Sequence, residues 1–118
     1  MYSNRLLDHF ENPRNAGEVA NATARVQVEN PVCGDVLELS ARAEEGRVGE
    51  IRFRAKGCVP AMACGSAVTE LAHGKSIDEV RAITKDDVTA AVGGVPEASD
   101  HALTLAIDAL RKLLAESR

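Results

Sequence analysis

Leu6, Leu7 and Phe10 recur at helical spacing, and the run stops before Pro13, which pushes the residue ahead of it out of the α region. The pattern predicts a short helix over 3–11. His9 falls inside it and reads as a surface or packing residue. Asn12, Pro13, Arg14, Asn15 and Gly17 crowd the next stretch with turn formers, so a loop follows. The period then drops to two. Val26 and Val28, then Leu37, Leu39 and Ala41, then Ile51, Phe53 and Ala55 alternate with polar residues, which predicts three strands with one buried face each. The connection 43–47 contains Gly46 and has hairpin length, so the last two strands run antiparallel.

Helical spacing returns after Pro60, which suits a first helical turn. Ala63, Cys64, Ala67, Val68 and Leu71 then line one face up to Gly74. Ser76 with Glu79 three residues on is a capping box opening a short helix through Val80 and Ile83, and Thr84 with Asp87 resembles it. Gly93, Gly94 and Pro96 break the chain. Ser99 is placed to cap a final helix carrying Ala102, Leu105, Ala106, Ala109, Leu110 and Leu113. The order helix, three strands, helices predicts an α+β fold: a three-stranded antiparallel sheet covered on one face by helices. With 118 residues and no repeat or linker, the chain reads as a single domain, 1–118.

Composition removes several function classes. A formal charge of -4 and 3% aromatic residues argue against a nucleic-acid surface, and the alternation of Arg52, Arg54 and Lys56 reads as a solvated sheet face. No segment has the apolar run of a signal peptide or a membrane span, so the chain is expected to be cytoplasmic. Three cysteines are an odd number with no paired framework, and in a reducing compartment they read as free thiols, ligands or nucleophiles.

Four residues able to bind a soft metal sit at element ends, where side chains can converge. Cys33 and Asp35 lie on the loop 30–35, in which Pro31 fixes its own φ and Gly34 is free to take a positive one. Cys58 lies between the third strand and its helix, and His101 lies at the start of the last helix. Thiolates and imidazole suit Zn²⁺ and iron, and two Cys, one His and one Asp make a tetrahedral set. Cys58 also stands where backbone amides and the helix dipole lower a thiol pKa, so it is a candidate nucleophile as well. Cys64 shares the apolar stripe of its helix and reads as core.

These residues belong to longer stretches: Tyr2-Ser3, Asp8 through Gly17, Asn30-Pro31-Val32-Cys33-Gly34-Asp35, Lys56-Gly57-Cys58, Thr69-Glu70, Gly74-Lys75-Ser76 and His101. Almost end to end, the chain resembles the iron-sulfur cluster scaffold proteins of the IscU and NifU N-terminal type. The resemblance implies an α+β sandwich with a site near one end of the sheet. It also implies a role in building a transient [2Fe-2S] cluster from iron, brought by an iron donor, and sulfur, brought by a cysteine desulfurase, for delivery to apo iron-sulfur acceptor proteins. By position it makes Cys33, Cys58 and His101 ligands, and Asp35 the nearby carboxylate that keeps the cluster transferable.

Two positions depart from the family pattern. Ala102 stands where the family has a third cysteine, a cluster ligand and sulfur acceptor, directly after the histidine. Glu97-Ala98-Ser99 replaces a Pro-Val-Lys segment read by an Hsp70-type chaperone, which argues against a dedicated chaperone handover. The first expectation is therefore a scaffold or carrier with an incomplete cysteine set, with Zn²⁺ or an empty site in place of a cluster as isolated. The alternative is a zinc-containing sulfur-transfer protein that accepts a persulfide on Cys33, Cys58 or Cys64, and a third reading is a degenerate regulatory paralogue. Whether the chain forms a homo-oligomer stays open.

Overall fold

The three alternating segments form one antiparallel sheet in the order β1 (Ala24–Glu29), β2 (Val36–Glu44), β3 (Arg47–Lys56). The computed structural model describes residues 1–32 and 34–116. Glu45 and Gly46 turn β2 into β3 with positive φ at both positions, the signature of a primed hairpin turn that matches strand twist. Val26, Leu37, Leu39, Ile51 and Phe53 are buried on one face. Arg25, Gln27, Arg54 and Lys56 are exposed. As a solvated face should, this one pairs its charges locally, Arg52 with Glu50 and Arg42 with Glu44 and Glu50. Lys112, from the C-terminal helix, donates from Nζ to the carbonyl of Gln27 on the outer strand β1 at 3.1 Å.

Helices α1 (Asn4–Glu11), α2 (Val59–Ala72), α3 (Ile77–Arg81), α4 (Lys85–Ala91) and α5 (Asp100–Glu116) supply the cover. Helix α1 starts at Ser3, whose hydroxyl accepts from the Leu6 amide, and both short helices α3 and α4 carry the capping boxes read from sequence. Ser99 does not cap α5. It ends a 3-10 turn over Glu97–Ser99 that runs directly into the helix, so continuing backbone hydrogen bonds replace the cap. Among the described residues no helix is long and apolar enough to cross a membrane.

Helix α2 departs from the one-faced helix predicted for it. It packs against β3, α1, α4 and α5 together, so Gly65, Ser66 and Thr69 are buried along with Ala63, Cys64, Ala67 and Val68. An ideal Cβ on Gly65 would stand 2.8 Å from a Phe53 ring carbon, so the missing side chain sets how closely α2 lies on the sheet. The buried hydroxyls tie α1 to α2. Ser66 Oγ accepts the Arg14 amide at 2.9 Å and pairs with His9 Nδ1 at 2.8 Å, while Thr69 Oγ1 donates within reach of the carbonyls of Ser66 and Arg14. This fixes the rotation of α1: His9 is 4% exposed and Leu7 36%, the reverse of what Leu7's place in the apolar pattern predicts.

Candidate functional site

Three element ends meet at one edge of the sheet. The register pairs Val36, first in β2, with Lys56, last in β3, so Asp35 and Gly57 face each other just beyond the ladder. Cys58 follows as the N-cap of α2, and His101 sits in the first turn of α5. Asn30 anchors the loop before Asp35 through its backbone and its side chain. The Asn30 amide donates to the Asp35 carbonyl, the Gly34 amide to the Asn30 carbonyl, and the Val32 amide to Asn30 Oδ1. Gly34 takes φ +75, the conformation its position in the sequence suggested.

Asp35 is the hub. Its side chain is buried, and a buried carboxylate must be hydrogen-bonded or paired to be tolerated. Oδ1 accepts the Cys58 amide at 3.1 Å. Oδ2 accepts the Cys58 thiol at 3.2 Å and lies 3.2 Å from His101 Nε2, which is itself 3.8 Å from Cys58 Sγ. One ligand atom from each residue therefore lies within 4.8 Å of the others.

These separations suit a metal. Zinc bonds of about 2.3 Å to sulfur and about 2.0 Å to nitrogen, set at a tetrahedral angle, put S and N roughly 3.5 Å apart, near the 3.8 Å found. A soft thiolate, an imidazole and a carboxylate can therefore occupy three corners of a tetrahedron once the metal replaces the thiol and imidazole protons. The site is reachable, since Cys58 and His101 are half-buried and a groove of about 250 Å³ between β1 and α5, lined by Val28, Pro31 and Leu105, opens beside His101.

Of the predicted site residues, Asp35, Cys58 and His101 are thus brought together, while Cys33 lies outside the described residues. Cys64 is elsewhere, fully buried in the core, where desolvation and then the neighbouring Cys58 push its thiol pKa up to about 12. Ala102 is also core, at 1% exposure. Two pairings lie beyond what the local pattern shows, although Thr69 and Gly57 stand in the resembling stretches: the bonds of the Ser66 and Thr69 hydroxyls to α1 and its following segment, and the close approach of Gly57 to Asp35, which depends on the register of β2 against β3.

Residues 1–117 match the family model of the NifU-like N-terminal domain. The chain is 42% identical over 116 residues to the iron-sulfur cluster assembly scaffold protein IscU 1 of Archaeoglobus fulgidus, covering 98% of this chain and 76% of that one. It is 39% identical over 119 residues to the scaffold protein IscU of Escherichia coli, covering 98% and 92%. The crystal structure of a NifU-like N-terminal protein from Brucella abortus superposes with a TM-score of 0.82 at 19% identity, over 98% of this chain and 92% of that one, which shows a shared fold.

Proposed function

The chain belongs to the NifU-like N-terminal domain family, and from that membership we propose that it is a scaffold or carrier on which a labile [2Fe-2S] cluster is assembled and from which it is passed on. The observation that carries the reading is the convergence of Cys58 Sγ, His101 Nε2 and Asp35 Oδ2 at a half-open edge of the sheet. In this reading Cys58, His101 and Asp35, with Cys33, hold iron and sulfide as cargo, and the one domain 1–118 works in the cytoplasm. A cysteine desulfurase supplies sulfur, an iron donor supplies iron, and apo proteins receive the product. The family's third cysteine is Ala102 here, so Asp35 is required where it would otherwise be an accessory. A carboxylate oxygen is a harder, more exchangeable donor to iron than a thiolate, which suits release.

Anaerobic incubation with desulfurase, iron, cysteine and a thiol reductant, which supplies the two electrons that turn each persulfide sulfur into sulfide, is expected to give a visible sulfur-to-iron charge-transfer spectrum and acid-labile sulfide close to the iron bound. Absence of both, under conditions that load a three-cysteine relative, overturns the reading. The variant Ala102→Cys is expected to raise loading. No gain would mean that position 102 does not limit this chain.

The donor spacing favours a second reading, a Zn²⁺ site beside a persulfide-accepting thiol, with Zn²⁺ present in the protein as isolated. Mass spectrometry after reaction with desulfurase and cysteine tests it: absence of a gain of about 32 Da, one sulfur, on any thiol removes this reading.

A further inference from the structure

We propose that Gly57 is the positioning residue of this site, because the absence of a side chain there is what lets the Asp35 carboxylate stand between Cys58 and His101. The inference rests on the reading that Asp35, Cys58 and His101 hold a metal. An ideal Cβ built on Gly57 lies 2.7 Å from Asp35 Cγ and 3.0 Å from Asp35 Cα, and closer still to Oδ1. Real Cβ contacts essentially never fall below 3.0 Å, so something must shift. The Asp35 backbone cannot, because it is fixed by the Asn30 amide on one side and by the pairing of Val36 with Lys56 on the other. The carboxylate is left to move, and it is 3% exposed with its oxygens engaged by the Cys58 amide, the Cys58 thiol and His101.

Gly57 adopts φ +140, which L side chains rarely do, so an L-residue also meets backbone strain that has nothing to do with metal. Chirality separates the two effects. A D-residue accepts this φ, and its methyl replaces the other α-hydrogen, not the one whose direction the ideal L-type Cβ takes toward Asp35. Joining a 1–57 thioester to a 58–118 fragment at Cys58 by native chemical ligation places D-alanine at position 57.

Three readouts are compared among the parent, Gly57→Ala, Asp35→Ala, the double variant and the D-alanine protein: Zn²⁺ affinity by chelator competition, the Co²⁺ absorption spectrum, and the NMR shift of the Cys58 amide. Gly57→Ala is expected to weaken Zn²⁺ binding by roughly 10–100-fold, the range for a lost supporting partner, and to change the Co²⁺ spectrum as Asp35→Ala does. The double variant is expected to bind like Asp35→Ala alone, since Gly57 acts through that carboxylate. The D-alanine protein is expected to bind like the parent. Parent-like affinity in Gly57→Ala, or losses that multiply in the double variant, overturn the proposal. If Gly57→Ala does not fold, backbone strain is common to it and the double variant, and the D-alanine protein, which lacks that strain, carries the test: loss of Zn²⁺ affinity there to the level of Asp35→Ala overturns the proposal. The amide shift needs no metal. If Gly57→Ala moves it as Asp35→Ala does while the parent binds neither Zn²⁺ nor Co²⁺, the positioning role stands and the metal reading falls.

Discussion

Helix α2 carries two polar clusters, one at its N-cap and one at its middle, made from different chemistry. At the start, Cys58 shares one oxygen of Asp35 with His101, and the thiol and imidazole are half-open to solvent. At the middle, Ser66 and Thr69 are fully buried and bond to His9 and to the backbone of the segment after α1. The first set consists of donors whose protons a metal can displace. The second is built on hydroxyls whose partners all lie within the chain, so it joins two helices. A polar group buried on a helix is thus not in itself a site; what makes one is a set of exchangeable donors with a path to solvent.

The largest expected effect tests the first cluster. Cys58→Ala should lower Zn²⁺ affinity by more than the roughly 100-fold at the upper end for an outer partner, with little change in metal-free stability because the side chain is only half-buried. Retention of affinity within about tenfold, by chelator competition, would put the metal elsewhere. Ser66→Ala should do the converse. It leaves the His9 ring nitrogen and the Arg14 amide without their buried partner, at a cost of about 1–3 kcal/mol in urea denaturation, while Zn²⁺ affinity holds. A loss of affinity in this variant would mean that the clusters are coupled.

The second cluster also sets a pH dependence. Burial, and next the Arg14 charge, hold the His9 pKa below its ordinary 6.5. The folded state then binds fewer protons than the unfolded state between the depressed value and 6.5, so stability falls as pH drops through that window and is unaffected by His9 above it. The urea midpoint followed from about pH 7.5 to about pH 5.5 should decline less in His9→Gln than in the parent; equal declines would assign the effect to other groups.

The smallest expected effect lies between the clusters. Cys64, its pKa pushed up to about 12, should resist iodoacetamide in the folded protein while Cys58 reacts, and Cys64→Ala should cost about 1 kcal/mol without altering Zn²⁺ affinity. Alkylation or persulfidation of Cys64 under native conditions would show that α2 opens.

What the chain discloses by itself follows the range of the interactions involved. Strands β1 to β3 are legible from alternation, and the boxes at Ser76 and Thr84 from residues three apart, because each is decided locally. The rotation of α1 is not, since helical spacing admits either Leu7 or His9 to the interior and Ser66, 57 positions from His9, decides between them. Helix α2 looks one-faced because its central position depends on partners on several sides. Asp35, Cys58 and His101 could be singled out because metal-capable side chains at element ends are few. The role of Gly57 emerges only when the register sets it against Asp35.

One hydrogen bond remote from these clusters has a consequence for crowded solution. Strand β1 is an outer strand, and such a strand is a template on which another chain can extend the sheet and seed aggregation. Lys112 occupies the Gln27 carbonyl there and sets a positive charge where an incoming strand must lie. Helix α5 thus presents His101 near one end and, near the other, an amine that deters the protein from polymerising.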